Sequence, residues 1–315
     1  ERTALVVVVD DLQWGAPGFH DLVEHIALLS TGAPILVLCM ARPELVERRP
    51  TWPVTFRLEA LPVDAVDELL ATLSDSGLRG RITAAAGGNP LFVTEMLAMT
   101  RDHDGEVTVP PTLRALLEAR LGQLEQEERT VLEVGSVEGE VFHRGAVAEA
   151  CSTRESITPQ LAALVRKGLI RPEASTLPDD AFRFGHLLVR DTAYDSLPKS
   201  ARADLHKRYA EWLESRGSGA ADLDGALGHH YEQATRYLTE LDLPAEGTGL
   251  RAHRHLAIAG RRALGRADYA AAVDLLARAA ALLAEGASDA RLAIDLAWAH
   301  YHTSLDADVV VTHLD

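Results

Sequence analysis

The chain has 315 residues, of which 47% are hydrophobic and 25% are charged, and its formal net charge is -16. This length accommodates two or three domains with buried cores, and the acidic balance argues against a DNA-binding surface within these residues. No apolar run reaches the ~18 residues of a membrane span. Two cysteines are too few for a disulfide framework. We therefore expect a cytoplasmic protein without a membrane partner, which reaches DNA only through a domain outside these residues.

The first residues alternate short apolar runs with a helical pattern. ALVVVV (4–9) and PILVLCM (34–40) are predicted strands of a parallel sheet, buried on both faces. Between them, DLVEHIALLS (21–30) predicts a helix with a buried stripe of Leu22, Ile26 and Leu29. This alternation predicts an α/β sheet.

Two adjacent carboxylates, Asp10 and Asp11, follow the first predicted strand. Ligands of α/β folds bind at the carboxyl ends of parallel strands. Asp10 can hold Mg²⁺, directly or through water, and the metal can bridge nucleotide phosphate oxygens. Asp11 can orient a water for attack on the γ-phosphate. The alternative is that both residues only cap the following helix.

After VTFRL (54–58), a candidate third strand, the pattern becomes helical. GGNP (87–90) interrupts two helical stretches, and the polar connector RDHDGEVTVPP (101–111) marks a first domain boundary.

Several helices then precede a predicted strand pair, GLIRPEA and AFRFG, separated by the loop STLPDD (175–180). Helices followed by a two-stranded ribbon indicate a winged-helix-like module, and RGSGAADLDG (216–225) marks a second boundary. The predicted architecture is therefore a partial P-loop NTPase sheet followed by an all-α part. The domains are 1–105, 106–216 and 217–315.

The last predicted domain resembles tetratricopeptide helical repeats. Small and large residues have the spacing of such a helix pair at Gly260, Tyr269, Ala272, Leu276 and Ala279. A small residue lets one helix approach the next while the tyrosine fills the gap. A generic Ala-rich antiparallel helix pair is the alternative. Residues 293–314 are expected to begin a further repeat.

Four segments in chain order together resemble one family: VVVVDDLQWGAP, LCMARPEL, GGNPLFVTEML and FRFGHLLVRDTAYDSL, the last followed by LHKRYAEWLE. They are similar to the STAND ATPases. These AAA+-related signalling ATPases occur in LuxR-type bacterial transcriptional regulators and in other multidomain regulators, including some cyclases and kinases. The resemblance extends from residue 4 to about residue 214.

The resemblance implies a role for each matching residue. Asp10 would be the magnesium-side acid of the Walker B strand and Asp11 its second acid. Arg42 would be the sensor 1 arginine that responds to the γ-phosphate. Pro90 would be the GxP proline that packs on the base, and His186 the winged-helix histidine that contacts the ADP phosphate. The alternatives are a surface ion pair of Arg42 with the nearby Glu44, an ordinary turn and a structural histidine.

The chain departs from the family in two respects. Residues 14–20 read WGAPGFH where the family has W-A-D-P-A-S-L, so an acid and a serine are absent. No G-x-x-x-x-G-K-[ST] phosphate-binding loop occurs. We expect this loop before Glu1, and we expect these residues alone to bind ATP poorly, to be inactive and to aggregate through exposed strand edges.

The sequence thus predicts an ATP-binding regulatory segment of a signal-responsive transcriptional regulator. The intact protein would be a slow ATPase switched by exchange of ADP for ATP–Mg²⁺. Opening of the His186 contact would release the chain to self-associate, and the helical repeats would sense a protein or a small-molecule inducer. The alternatives are an interaction scaffold with a vestigial ATPase and an ATPase module that regulates an attached cyclase or kinase.

Overall fold

A computed structural model describes residues 4–30, 32–49, 52, 56–101, 109–151, 157–175, 179–216, 223–283 and 288–304. The chain divides into two compact units, Glu1–Glu59 and Ala60–Asp315. The division falls within the first predicted domain, and the three-domain scheme stays a prediction. None of the described helices is long and apolar enough to cross a membrane.

The first unit is built on two parallel strands, β1 (Leu5–Val9) and β2 (Ile35–Cys39). A short 3-10 helix (Leu12–Trp14) and α1 (Pro17–Leu29) connect the strands, and α2 (Pro43–Arg48) follows β2. The predicted strand–helix–strand alternation is confirmed. Residues 54 and 55 of the candidate third strand lie outside the described residues, and residues 56–58 have no regular structure.

The prediction that both faces of these strands are buried is wrong. Val6, Val8, Leu36 and Leu38 are 60%, 57%, 60% and 49% exposed. Only the opposite face is covered, where partly buried residues of β1 and β2 pack against a small core formed by the 3-10 helix and the two α-helices. The sheet described in this unit has two strands and one covered face.

The same core corrects the predicted face of α1. Leu22 and Leu29 are 52% and 65% exposed, whereas Val23 and His20 are buried. The helix packs through His20 and Val23 because the chain enters it from the 3-10 helix, whose Leu12 forms the centre of this core.

The second unit begins with α3 (Val63–Leu69), α4 (Ser76–Ala86) and α5 (Pro90–Arg101), which share a core with α6 (Leu113–Gly122). The interruption predicted at 87–90 is confirmed. Gly87 and Gly88 have φ angles of 53° and 77°, a region that strongly favours glycine. A Cβ atom on Gly88 would lie 2.6 Å from the Leu61 carbonyl oxygen, so the turn requires glycine there.

An α–β–α–α–β–β segment follows. It consists of α7 (Gln126–Glu138), β3 (Val141–His143), α8 (Arg144–Ala150), α9 (Thr158–Arg166), β4 (Ile170–Glu173) and β5 (Ala181–Phe184). Strand β5 lies between β3 and β4 and is antiparallel to both. The predicted strand pair is therefore present, and Phe142 and Phe184 are buried in the core beneath it.

The remainder of the unit is helical. Its elements are α10 (Leu187–Ser196), α11 (Lys199–Ser215), α12 (Asp224–Glu240), α13 (Glu246–Gly265), α14 (Tyr269–Ala281) and α15 (Ala290–Ser304). A Cβ atom on Gly260 of α13 would lie 2.6 Å from Cγ of Leu276 in α14, which confirms the predicted close approach. Ala272 and Ala279 are fully buried, and Tyr269 stacks on the His302 ring at 4.5 Å.

Candidate functional site

The carboxyl ends of β1 and β2 bring three of the predicted site residues to one edge. Backbone pairing continues just past the strands, where the Met40 amide donates to the Val9 carbonyl at 2.8 Å. Asp10 and Asp11 follow β1, and Arg42 stands three residues beyond the end of β2. This edge is where parallel sheets bind ligands.

The two aspartates form a tight turn. Asp11 has a left-handed backbone with φ of 49°, which costs a non-glycine residue about 1 kcal/mol. Its amide donates to Asp10 Oδ1 at 2.8 Å, which stabilises the turn. The turn directs Leu12 into the core, 2% exposed, while both carboxylates stay exposed at the edge.

Gln13 joins the second acid to the residue predicted as the sensor arginine. Its side-chain Nε2 donates to Asp11 Oδ1 at 2.7 Å, and its Oε1 accepts the backbone amide of Arg42 at 3.1 Å. One neutral side chain therefore uses its donor and its acceptor to fix the Asp11 carboxylate relative to the start of α2. The sequence analysis assigned Gln13 no role. The sequence signal that could have identified Gln13 is its position two residues after Asp11.

Arg42 is the residue before α2, and its side chain is exposed. No ion pair joins Arg42 to Glu44 in the described part of the first unit. The guanidinium is thus at the carboxyl edge without the partner that the alternative interpretation required. A guanidinium suits phosphate through its charge and its fixed donor geometry.

His20 holds the loop that carries these residues. Its Nε2 lies 2.7 Å from the Leu12 carbonyl oxygen, and a Cβ atom on Gly15 would come within 2.9 Å of the same nitrogen. The His20 ring meets Trp52 edge-on at 6.0 Å. His20 is 6% exposed, so its role is to support the loop from below.

Pro90 belongs to the second unit and begins α5. Asn89 caps this helix, because its Oδ1 accepts the amides of Leu91 at 2.9 Å and Phe92 at 3.3 Å. Pro90 occupies a position where its missing N–H costs nothing, and its ring is exposed.

His186, also in the second unit, immediately precedes α10. Its Nδ1 accepts the Leu188 amide at 3.1 Å, so this nitrogen carries no proton in the bond and Nε2 is the protonated atom of the neutral ring. The side chain is exposed. An imidazole N–H at a helix start is suited to donate to an anionic oxygen.

The carboxyl edge fits a nucleotide-bound magnesium ion better than a metal held by protein alone. Among the described residues, no three His, Cys, Asp or Glu side chains are grouped to hold a metal. Oδ1 of Asp10 accepts the hydrogen bond from the Asp11 amide, and the other carboxylate oxygen is available to a cation. Mg²⁺ commonly takes one or two protein carboxylates and completes its shell with water and phosphate oxygens.

The proteins to which this chain is similar include one uncharacterized protein and one signalling ATPase. No family model matches the sequence. An uncharacterized protein of Rhizobium meliloti (strain 1021) is 25% identical over 260 residues, which are 74% of this chain and 25% of that protein. The crystal structure of a signal transduction ATPase with numerous domains (STAND) protein with a tetratricopeptide repeat sensor, from Pyrococcus horikoshii, is similar at a TM-score of 0.49 and 15% identity. That similarity covers 98% of this chain and 48% of the solved one. The chain thus spans about a quarter and about half of the two proteins' lengths.

Proposed function

We propose that this chain is the nucleotide-responsive segment of a cytoplasmic signalling ATPase of the STAND class, within a transcriptional regulator. The observation that carries this proposal is the cluster at the carboxyl edge of β1 and β2. There Gln13 connects the Asp11 carboxylate to the backbone of Arg42. A catalytic carboxylate and a phosphate-sensing cation both need such fixed positions.

Each residue of the cluster has a distinct task. Asp10 would hold Mg²⁺, which when bound supplies positive charge against the nucleotide phosphates. Asp11, oriented by Gln13, would accept a hydrogen bond from the attacking water. Arg42 would donate to the γ-phosphate oxygens and lose that contact when the phosphate leaves.

The second unit would couple the exchange of ADP for ATP to self-association of the chain. The order α–β–α–α–β–β from α7 to β5 is that of a winged-helix module. In the proposed resting state Pro90 packs on the base and His186 donates to an ADP phosphate. Exchange of ADP for ATP would break the His186 contact and free the chain to self-associate. The repeats formed by α12 to α15, of tetratricopeptide type, would bind a protein or a small-molecule inducer.

The proposal requires a phosphate-binding loop that these 315 residues do not contain. Backbone amides and a lysine provide most of the affinity for phosphates in such sites. We propose that the intact protein supplies them ahead of Glu1, and that slow hydrolysis occurs only there.

The test measures Mg²⁺-dependent binding of a fluorescent ATP analogue to the full-length gene product. Asp10→Asn should weaken binding at least about tenfold, because one carboxylate ligand to the metal is lost. Asp11→Asn should retain binding within about threefold and abolish hydrolysis. Glu47→Gln, which removes an exposed carboxylate from α2, is the matched control and should change neither property.

Two outcomes would contradict the proposal. The first is a full-length protein that binds no nucleotide at micromolar concentration. The second is binding and hydrolysis that survive both substitutions. Micromolar ATP binding by residues 1–315 alone would separately overturn the requirement for an upstream loop.

An interaction scaffold is the second candidate, favoured by one specific surface. Ile294, Trp298 and Tyr301 form an exposed stripe on α15 and are 56%, 56% and 41% exposed. Such a stripe suits a helical partner or a further repeat. The scaffold predicts partner binding that is identical with ADP, with ATP and without nucleotide. A cyclase or kinase domain encoded beside this segment would instead favour regulation of that enzyme.

A further inference from the structure

We propose that Tyr194 is the positioning residue through which α12, the first helix of the repeats, sets the position of α10 and of His186 at its start. Three helices meet at the Tyr194 hydroxyl. It lies 2.8 Å from His206 Nε2 on α11 and 2.9 Å from the Tyr237 hydroxyl on α12. His206 Nδ1 in turn lies 2.8 Å from Nδ1 of His230, also on α12.

One order of donors and acceptors accounts for this series of hydrogen bonds. Arg202 can only donate, and it donates to the Tyr237 hydroxyl at 3.4 Å. Tyr237 then donates to Tyr194, and Tyr194 donates to His206 Nε2. His206 carries its proton on Nδ1 and donates it to His230. In this order the Tyr194 hydroxyl uses its donor and an acceptor site, so its loss removes one hydrogen bond from His206 and one from Tyr237.

The two histidines at the end of this series of hydrogen bonds are buried and neutral. His206 and His230 are 2% and 4% exposed. Burial lowers the pKa of His206 to about 3 and holds the pKa of His230 well below its ordinary value. Both imidazoles are therefore uncharged near neutral pH, in agreement with the one proton that the Nδ1–Nδ1 hydrogen bond can hold. Unpaired groups in such an interior are costly.

The side chains of Tyr194 and Tyr237 connect α10 with α12. The backbone of α10 packs on α6 and α7, and that of α12 packs on α11 and α13. The Tyr194–Tyr237 hydrogen bond joins α10 and α12 directly, and the Arg202 guanidinium covers the Tyr194 ring at 4.5 Å. Tyr194 and His186 are eight residues apart, about 12 Å along one helix. A displacement of α12 at Tyr194 therefore moves the start of α10.

The first test is hydrogen exchange of backbone amides in Tyr194→Phe. Exchange within α10 and α12 should accelerate about tenfold, since a buried donor and acceptor lose their partners. Amides of α14 should not change. Tyr231→Phe is the matched control. It removes the hydroxyl of a buried tyrosine on α12, which accepts a hydrogen bond from Arg251 of α13 at 2.7 Å. This control should leave α10 unchanged.

A double substitution tests coupling apart from stability. Ala234→Gly loosens α12 at a fully buried position. It should accelerate exchange in α10 about fivefold in the wild-type background and add nothing in Tyr194→Phe. Unchanged α10 exchange in Tyr194→Phe, or equal acceleration that extends through α14, would overturn the proposal.

The consequence for nucleotide rests on the proposed role of His186. In the full-length protein, Tyr194→Phe should release a fluorescent ADP analogue about tenfold faster, whereas Tyr231→Phe should not. An altered α10 exchange with an unchanged release rate would overturn the link to His186. A protein that binds no nucleotide would refute the proposed function, while the exchange measurements would still decide whether Tyr194 positions α10.

Discussion

Asp11 and Arg42 follow neighbouring parallel strands, and the carboxylate of the first is tied to the backbone amide of the second through one side chain. Gln13 donates to Asp11 at 2.7 Å and accepts from Arg42 at 3.1 Å. The position of the carboxylate therefore depends on where α2 begins. A shift of Arg42 on contact with a phosphate would also reorient Asp11, so the proposed roles of the two residues would be coupled.

Gln13→Leu should uncouple the two residues, because leucine keeps the volume and removes both hydrogen bonds. We expect hydrolysis by the full-length protein to fall about tenfold with ATP binding within threefold, since a misoriented carboxylate affects the transition state more than the bound substrate. Steady-state phosphate release and a binding titration measure the two effects.

Gln126→Leu is a suitable comparison, because it removes an exposed amide from α7 in the second unit. It should leave both quantities unchanged. A Gln13→Leu protein that hydrolyses ATP at the wild-type rate would show that Asp11 needs no orientation by Gln13.

Gly260→Ala should destabilise the repeats by about 1–3 kcal/mol, because its methyl group would overlap Leu276 of the facing helix. The Cβ atom would lie 2.6 Å from Leu276 Cγ. Gly265→Ala in the same helix meets nothing within 4 Å and should stabilise it slightly. Leu276→Ala should lessen the effect of Gly260→Ala. Urea unfolding followed by circular dichroism measures all three, and equal effects of the two glycine substitutions would contradict the packing argument.

The sequence predicted those features that local chemistry determines. The ends of β1 and β2, the glycine turn at 87–90 and the small residue at Gly260 each have a signature within a few residues. The same close approach between helices was not predicted for α12 and α13, where a Cβ atom on Gly228 would lie 2.7 Å from Leu256 Cγ. The spacing that predicted the repeat covered only Gly260 to Ala279.

Features that depend on distant residues were not predictable. The buried face of α1 follows from the position of Leu12, which no helical periodicity encodes. Tyr194 and His206 are 12 residues apart, and His206 and His230 are 24 apart. No pattern within one helix predicts such a pairing.

Arg120→Ala should cost about 3–5 kcal/mol of unfolding free energy, because it leaves a buried carboxylate unpaired. Arg120 is 4% exposed. Its guanidinium bonds Glu95 of α5 and the Lys167 carbonyl oxygen that follows α9, so it joins elements on either side of residue 105. Replacing both partners, Arg120→Met with Glu95→Leu, should recover most of the loss. Urea unfolding tests both proteins, and an Arg120→Ala protein within 1 kcal/mol of wild type would show that the pair contributes little.

The paired histidines predict a stability that falls as the pH falls from about 6.5. Burial lowers the pKa of His206 to about 3 and lowers that of His230 well below its ordinary value. Arg190 on α10 lowers the pKa of both histidines further, and Arg236 on α12 and Arg202 on α11 add to the effect on His206. Below about pH 6.5 the unfolded chain binds protons that the folded chain does not. Each such histidine then costs about 1.4 kcal/mol of unfolding free energy per pH unit.

Comparison of wild type with His206→Gln isolates this effect. His229 shares the depressed pKa through burial. For His143, burial lowers the pKa, but the hydrogen bond to Glu138 and the charges of Glu138 and Asp179 together outweigh it, so the pKa is raised and its stabilisation has the opposite pH dependence. These contributions are common to both proteins and cancel in the difference. Urea unfolding between pH 6.5 and 5.5, where carboxylates stay ionised, should give a slope smaller by about one proton in His206→Gln. Equal slopes would mean that His206 takes up its proton in the folded protein over this pH range, contrary to the effect of its burial.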